Sequence, residues 1–125
     1  MTALQAILDG YFAGGNVPAN LYVGLVKTEN FTNFNDTTDT MASHPGWEEF
    51  TDYSEATRPL WTPGVVLGNA NVNNPSLARF TPTVTGSANV KAIFLCDDDT
   101  VDGTTGQLYG PYFFEEGLRD TVTGV

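Results

Sequence analysis

The residues able to do chemistry are few, and their arrangement argues against most of it. His44 is the single histidine, held in Ser43-His44-Pro45-Gly46, and a serine or cysteine nucleophile needs such a base within hydrogen-bond reach. Ser43 adjoins His44 in sequence, where the two side chains do not naturally face one another, and no serine stands in a G-x-S-x-G elbow. Cys96 is the only cysteine and closes the apolar run Ala92-Ile93-Phe94-Leu95-Cys96, so the expectation is a buried, inert thiol. Asp98-x-Thr100-x-Asp102-Gly103 imitates the start of a calcium loop, in which oxygen ligands alternate and glycine permits a sharp turn. Its twelfth position, however, is Tyr109 instead of a bidentate glutamate. Glu48 and Glu55 match a glycosidase pair in residue type alone. The chain contains no P-loop, no G-x-G-x-x-G and no Cys/His metal spacing. The expectation is therefore no enzyme, no metal and no cofactor.

What remains is aromatic. Trp47-Glu-Glu-Phe50-Thr-Asp-Tyr53 places rings three apart in a polar setting, and Trp61 follows Arg58-Pro59. Large amphipathic rings of this kind are candidate anchors for a protein partner. They also suit stacking on sugars, which makes a carbohydrate-binding module the alternative reading.

The elements that position these residues are mostly strands. Thr2-Ala-Leu-Gln5 has the form of a capping box. Leu4, Ile7, Leu8 and Tyr11 then recur on one helical face, and Gly14-Gly15 stops the helix, predicting an N-terminal helix within residues 1–15. That stripe is expected to dock onto the chain's own core, with docking into a neighbouring subunit as the other option. Leu21-Tyr-Val-Gly-Leu-Val26 predicts a central strand. Residues 27–60 lapse into Asn, Thr, Asp and Ser, with a helical turn predicted at 39–44, and so long a polar segment is expected to carry much of the binding surface. Further strands are predicted at 65–67, at 77–84 (an edge strand, because of Pro82) and from Val90 to Cys96. Thr85-Gly86-Ser87 and Asp102-Gly103 supply hairpin turns. Residues 107–125 hold a last strand bent at Gly110-Pro111, in which Tyr109, Tyr112, Phe113 and Phe114 concentrate apolar surface able to cross to a neighbour. The fold class expected is mainly β: one domain over residues 1–125, an antiparallel sandwich or barrel of short strands, with a short N-terminal helix and a long polar loop region.

Composition agrees. The 125 residues suit one domain. Fifteen acidic against five basic residues give a formal charge of −10, a surface that repels phosphate backbones and anionic membranes. The longest apolar stretches fall well short of the roughly 20 residues of a membrane helix. Residues 1–11 hold no basic residue and no signal-like apolar run, so folding in the cytoplasm is expected.

The run Leu21-Tyr-Val-Gly-Leu-Val26, followed by Asp39-Thr-Met-Ala-Ser-His-Pro-Gly-Trp47-Glu-Glu-Phe-Thr-Asp-Tyr-Ser54-Glu-Ala-Thr-Arg-Pro59-Leu-Trp61, resembles small head-module proteins of tailed bacteriophages. The resemblance covers most of the chain. It extends to capsid cement, or decoration, proteins such as those of cyanobacterial phages. It implies a virion structural protein on the outer capsid surface, bound to the major capsid protein of the shell and assembled as a homotrimer, with a tail-associated or host-surface carbohydrate-binding module as the alternative. In related sequences a stretch like Arg119-Asp-Thr-Val122-Thr-Gly124 leads into another strand, whereas here Val125 follows.

Overall fold

Strand β1, Leu21–Lys27, is the element on which the rest is assembled. Its β-branched and large apolar residues favour the pleated state, and Val23, Gly24, Leu25 and Val26 are all buried, as in a strand covered on both faces. The computed structural model describes residues 1–15, 17–62, 66–67, 70–71, 78–83, 87–88, 90–113 and 122–123. In chain order these form α1 (Ala3–Phe12), β1, β2 (Glu49–Phe50), β3 (Leu60–Trp61), β4 (Val66–Leu67), β5 (Ala70–Asn71), β6 (Ser87–Ala88), β7 (Val90–Cys96), β8 (Leu108–Phe113) and β9 (Val122–Thr123).

The main sheet has five antiparallel strands. One edge of β1 pairs along its length with β7, from Tyr22 opposite Cys96 to Lys27 opposite Val90, with a register shift after Val26. The other edge is shared end to end: β3 pairs at Leu21 and Tyr22, β2 at Leu25 and Val26. Beyond β7 lies β8, whose register slips between Ile93 and Leu95, opposite the cis Gly110–Pro111 bond and the positive φ of Gly110. Two short ladders, β4 with β5 and β6 with β9, complete the described pairings.

Alternation along β1 and β7 sends successive side chains to opposite faces, and each face has its own buried cluster. Val26, Ala92, Phe94 and Cys96 pack with Leu108, Met41 and Trp47. Leu25 packs with Phe50, Tyr53 and Val90. Residues 27–60 supply the cover on both sides, through Phe31, Phe34, Met41 and Trp47 on one and Phe50 and Tyr53 on the other. Gly24 faces Phe94, and a Cβ at that position would overlap the ring, so the missing side chain is what lets the Phe94 ring lie against β1.

The fold is thus mainly β and antiparallel, with one short helix, as the pattern predicts. Two local expectations differ. The turn predicted as helical at 39–44 is a tight reversal closed by a Thr40–Ser43 bridge. In the described part of 77–84 there is no ladder, only a bridge from Pro82 to Tyr53: without an N–H, proline cannot continue one. Of residues 114–125 only Val122 and Thr123 are described, and they pair with β6 of the same chain. The turn residues Thr85 and Gly86 lie outside the described residues.

Candidate functional site

The site is built on α1. Thr2 caps it reciprocally: Gln5 N–H donates to Thr2 Oγ1 (3.4 Å) and Thr2 N–H to Gln5 Oε1 (3.0 Å). The helix ends as Ala13 and Gly15 N–H both donate to the Asp9 carbonyl, with Gly14 between them at φ +71, a conformation open to glycine. Gln107 Nε2 donates to the Met1 carbonyl (2.9 Å), tying the helix start to the chain just before β8.

The face that docks is not the bulky one. Ala3 and Ala6 are buried, whereas Leu4 (39%), Ile7 (46%), Leu8 (47%), Tyr11 (81%) and Phe12 (76%) are exposed. The expectation that the stripe packs onto the chain's own core is therefore corrected. At 3.6 residues per turn, Ala3, Ala6 and Gly10 share a face turned roughly a third of a turn from the stripe. The helix is held by its small residues, and the stripe is left outward. Tyr11 and Phe12 touch each other edge to face, 4.8 Å between centroids.

Between α1 and the start of β1 runs an open groove of about 270 Å³, walled by Ile7, Tyr11, Val17 and Leu21. It adjoins a second hollow, of about 280 Å³, across Ala6, Pro18 and Tyr109, and there Asp9, Asp97 and Gln107 line the wall. Burial raises the Tyr109 phenol above its ordinary pKa.

The other aromatic candidates divide. Trp47 and Tyr53, expected as exposed anchors, are 2% and 7% exposed and belong to the core. The Trp47 indole donates to Asp39 Oδ2 (3.1 Å), lies 5.3 Å from the Phe94 ring, and is stacked on His44 at 3.9 Å. His44 Nδ1 meets the Trp47 carbonyl at 2.9 Å and so acts as donor. Tyr53 meets Phe80 edge to face, and its buried hydroxyl has no partner among the described residues. Trp61 is half-buried in β3, Tyr112 is 47% exposed on β8, and Phe113 is paired opposite Ala92. Phe114 lies outside the described residues.

The buried ion pair is a feature that the residue pattern did not single out. Arg58 Nε and Nη2 donate to Glu49 Oε1 (2.9 Å) and Oε2 (2.8 Å), a bidentate pair with both side chains enclosed. Arg58 Nη1 also donates to the Asp98 carbonyl and Arg58 N–H to that of Asp99, while Asp102 N–H donates to Glu49 Oε2. The guanidinium lies 5.2 Å from the Phe94 centroid. Burial opposes its charge, but the hydrogen bonds and charge of Glu49 outweigh that and leave its pKa above the ordinary value. The one available signal was an arginine among only five basic residues, set just after the aromatic run.

The acidic loop engages its own backbone. Gln107 N–H donates to Asp97 Oδ1 (2.6 Å), Thr100 N–H to Asp98 Oδ1 and the Thr105 hydroxyl to Asp98 Oδ2 (both 2.8 Å). Those bonds hold the Asp98 carboxyl below its usual range. Cys96 Sγ accepts from Asp98 N–H, and burial pushes its thiol up, which lowers the thiolate fraction available for chemistry. Among the described residues no helix is long and apolar enough to cross a membrane. No family model, curated protein or solved structure matches the chain.

Proposed function

We propose that the chain is a protein-binding structural component, specifically a cement protein that binds the major capsid protein of an assembled phage shell as a homotrimer. The observation that carries the protein-binding part is the helix face of Leu4, Ile7, Leu8, Tyr11 and Phe12, which holds five of the nine exposed large hydrophobic residues among those described. Contiguous apolar surface of this kind marks interaction sites. The resemblance of Leu21 to Trp61 to phage head-module proteins supports a shell as the partner. Binding the assembled state alone stabilises it by mass action. The carbohydrate-binding alternative loses its platform, because Trp47 and Tyr53 are buried.

The test is particle stability. Shells saturated with the protein should release DNA at a higher temperature than stripped shells, and equal release temperatures in parallel samples would reject the cement role.

A further inference from the structure

We infer that the groove beside α1 receives a partner segment that presents one bulky apolar side chain next to a lysine or arginine. The inference rests on the protein-binding reading and names what is bound.

The apolar end sets the first half of that chemistry. A cavity of about 150 Å³ accepts a benzene ring, so the 270 Å³ between Ile7, Tyr11, Val17 and Leu21 has room for one large side chain. Exposure of Tyr11 and Val17, at 81% and 76%, leaves apolar surface for an occupant to cover.

The adjoining hollow sets the second half. Asp9 and Asp97 line it beside Met1, and among the described residues no basic side chain lines either space. The chain's own described cations are engaged elsewhere or distant: Lys27 pairs with Glu48, Arg58 with Glu49, Lys91 lies over the Phe31 ring, and Arg79 borders neither hollow. A cation brought by a partner would meet two carboxylates just beyond the apolar wall. The net charge of −10 attracts a basic partner at long range, and a second copy, with five basic against fifteen acidic residues, is a poor source of the cation; the occupant is therefore taken to be a different protein, with the trimer contacts elsewhere on the chain.

The experiment is an unbiased selection of random displayed peptides on the full chain, with no shell present, so its result is separate from that of the particle assay. Enriched peptides should combine a Leu, Ile, Met or aromatic residue with a nearby Lys or Arg. Their affinity should fall about tenfold or more on Tyr11→Ala, and should weaken on Asp9→Asn and with added salt. Tyr11 is exposed, so Tyr11→Ala leaves the fold intact, and circular dichroism checks both variants. Failure to enrich any peptide, enrichment without a cation, or binding indifferent to both variants would overturn the inference. So would self-association, seen by sedimentation, that Tyr11→Ala abolishes.

Discussion

Arg58 and Glu49 join the segment before β3 to the loop between β7 and β8, and the enclosed charges have no solvent to fall back on. Removing one partner of such a pair strands the other, at a cost of about 3–5 kcal/mol. Glu49→Gln and Arg58→Met should each lower stability by that order in urea unfolding. A loss below about 1 kcal/mol would show that the pair is solvated like a surface bridge. Tyr53 offers a test with a pH sign. Burial first, then the Glu49 carboxylate, push its phenol up to about 12. The unfolded chain therefore gives up this proton near pH 10 while the folded one keeps it. The stability linked to Tyr53 is complete below pH 10 and is lost as pH rises toward 12, by roughly 2–3 kcal/mol. Tyr53→Phe should remove that alkaline loss and leave neutral stability unchanged or slightly higher, because the buried hydroxyl makes no hydrogen bond among the described residues. Alkaline melting of the two proteins side by side decides it. None of this was legible in the sequence, where Tyr53 and Glu49 look like members of a polar stretch: burial there comes from tertiary packing, which the periodicity of a short segment does not encode.

At the scale of elements, the legible parts were those with a period. β1 and β7 follow from alternation, and α1 from its capping box and glycine stop. The orientation of α1 did not follow, because hydrophobic stripes identify a helix but not which face meets the sheet. The row Ala3, Ala6, Gly10 was the missed signal. Residues 27–60 were read as a surface loop, yet they cover both faces of the sheet, since two-residue strands such as β2 and β3 carry too little pattern to detect. Thr2→Ala should cost about 1 kcal/mol of helix stability, seen as faster amide exchange in α1 with β1 and β7 unaffected. Equal exchange would mean that docking on β8, not capping, holds the helix.

For the whole molecule, the formal charge of −10 and the outward helix stripe pull in different directions. Charge keeps copies apart and the stripe invites company. The trimer proposed above should appear in light scattering coupled to size-exclusion chromatography, and a stable monomer at micromolar concentration would remove it. Melting curves with EDTA and with millimolar calcium should overlay, because Asp97 and Asp98 already accept hydrogen bonds from Gln107, Thr100 and Thr105. A rise of several degrees with calcium would reveal an ion site in this loop.

The sharing of one edge of β1 by β2 and β3, with β7 along the other, has a mechanical meaning. Tension applied to α1 passes through residues 13–20 into the end of β1 and runs along its axis. A strand gripped on both sides yields in shear: its cross-strand hydrogen bonds bear the load together, whereas a peeled edge strand gives them up one at a time. A helix that holds a moving partner would thus be anchored to a strand gripped on both edges. Single-molecule pulling from the N-terminal end should show α1 detaching from β8 at low force, well before β1 slides.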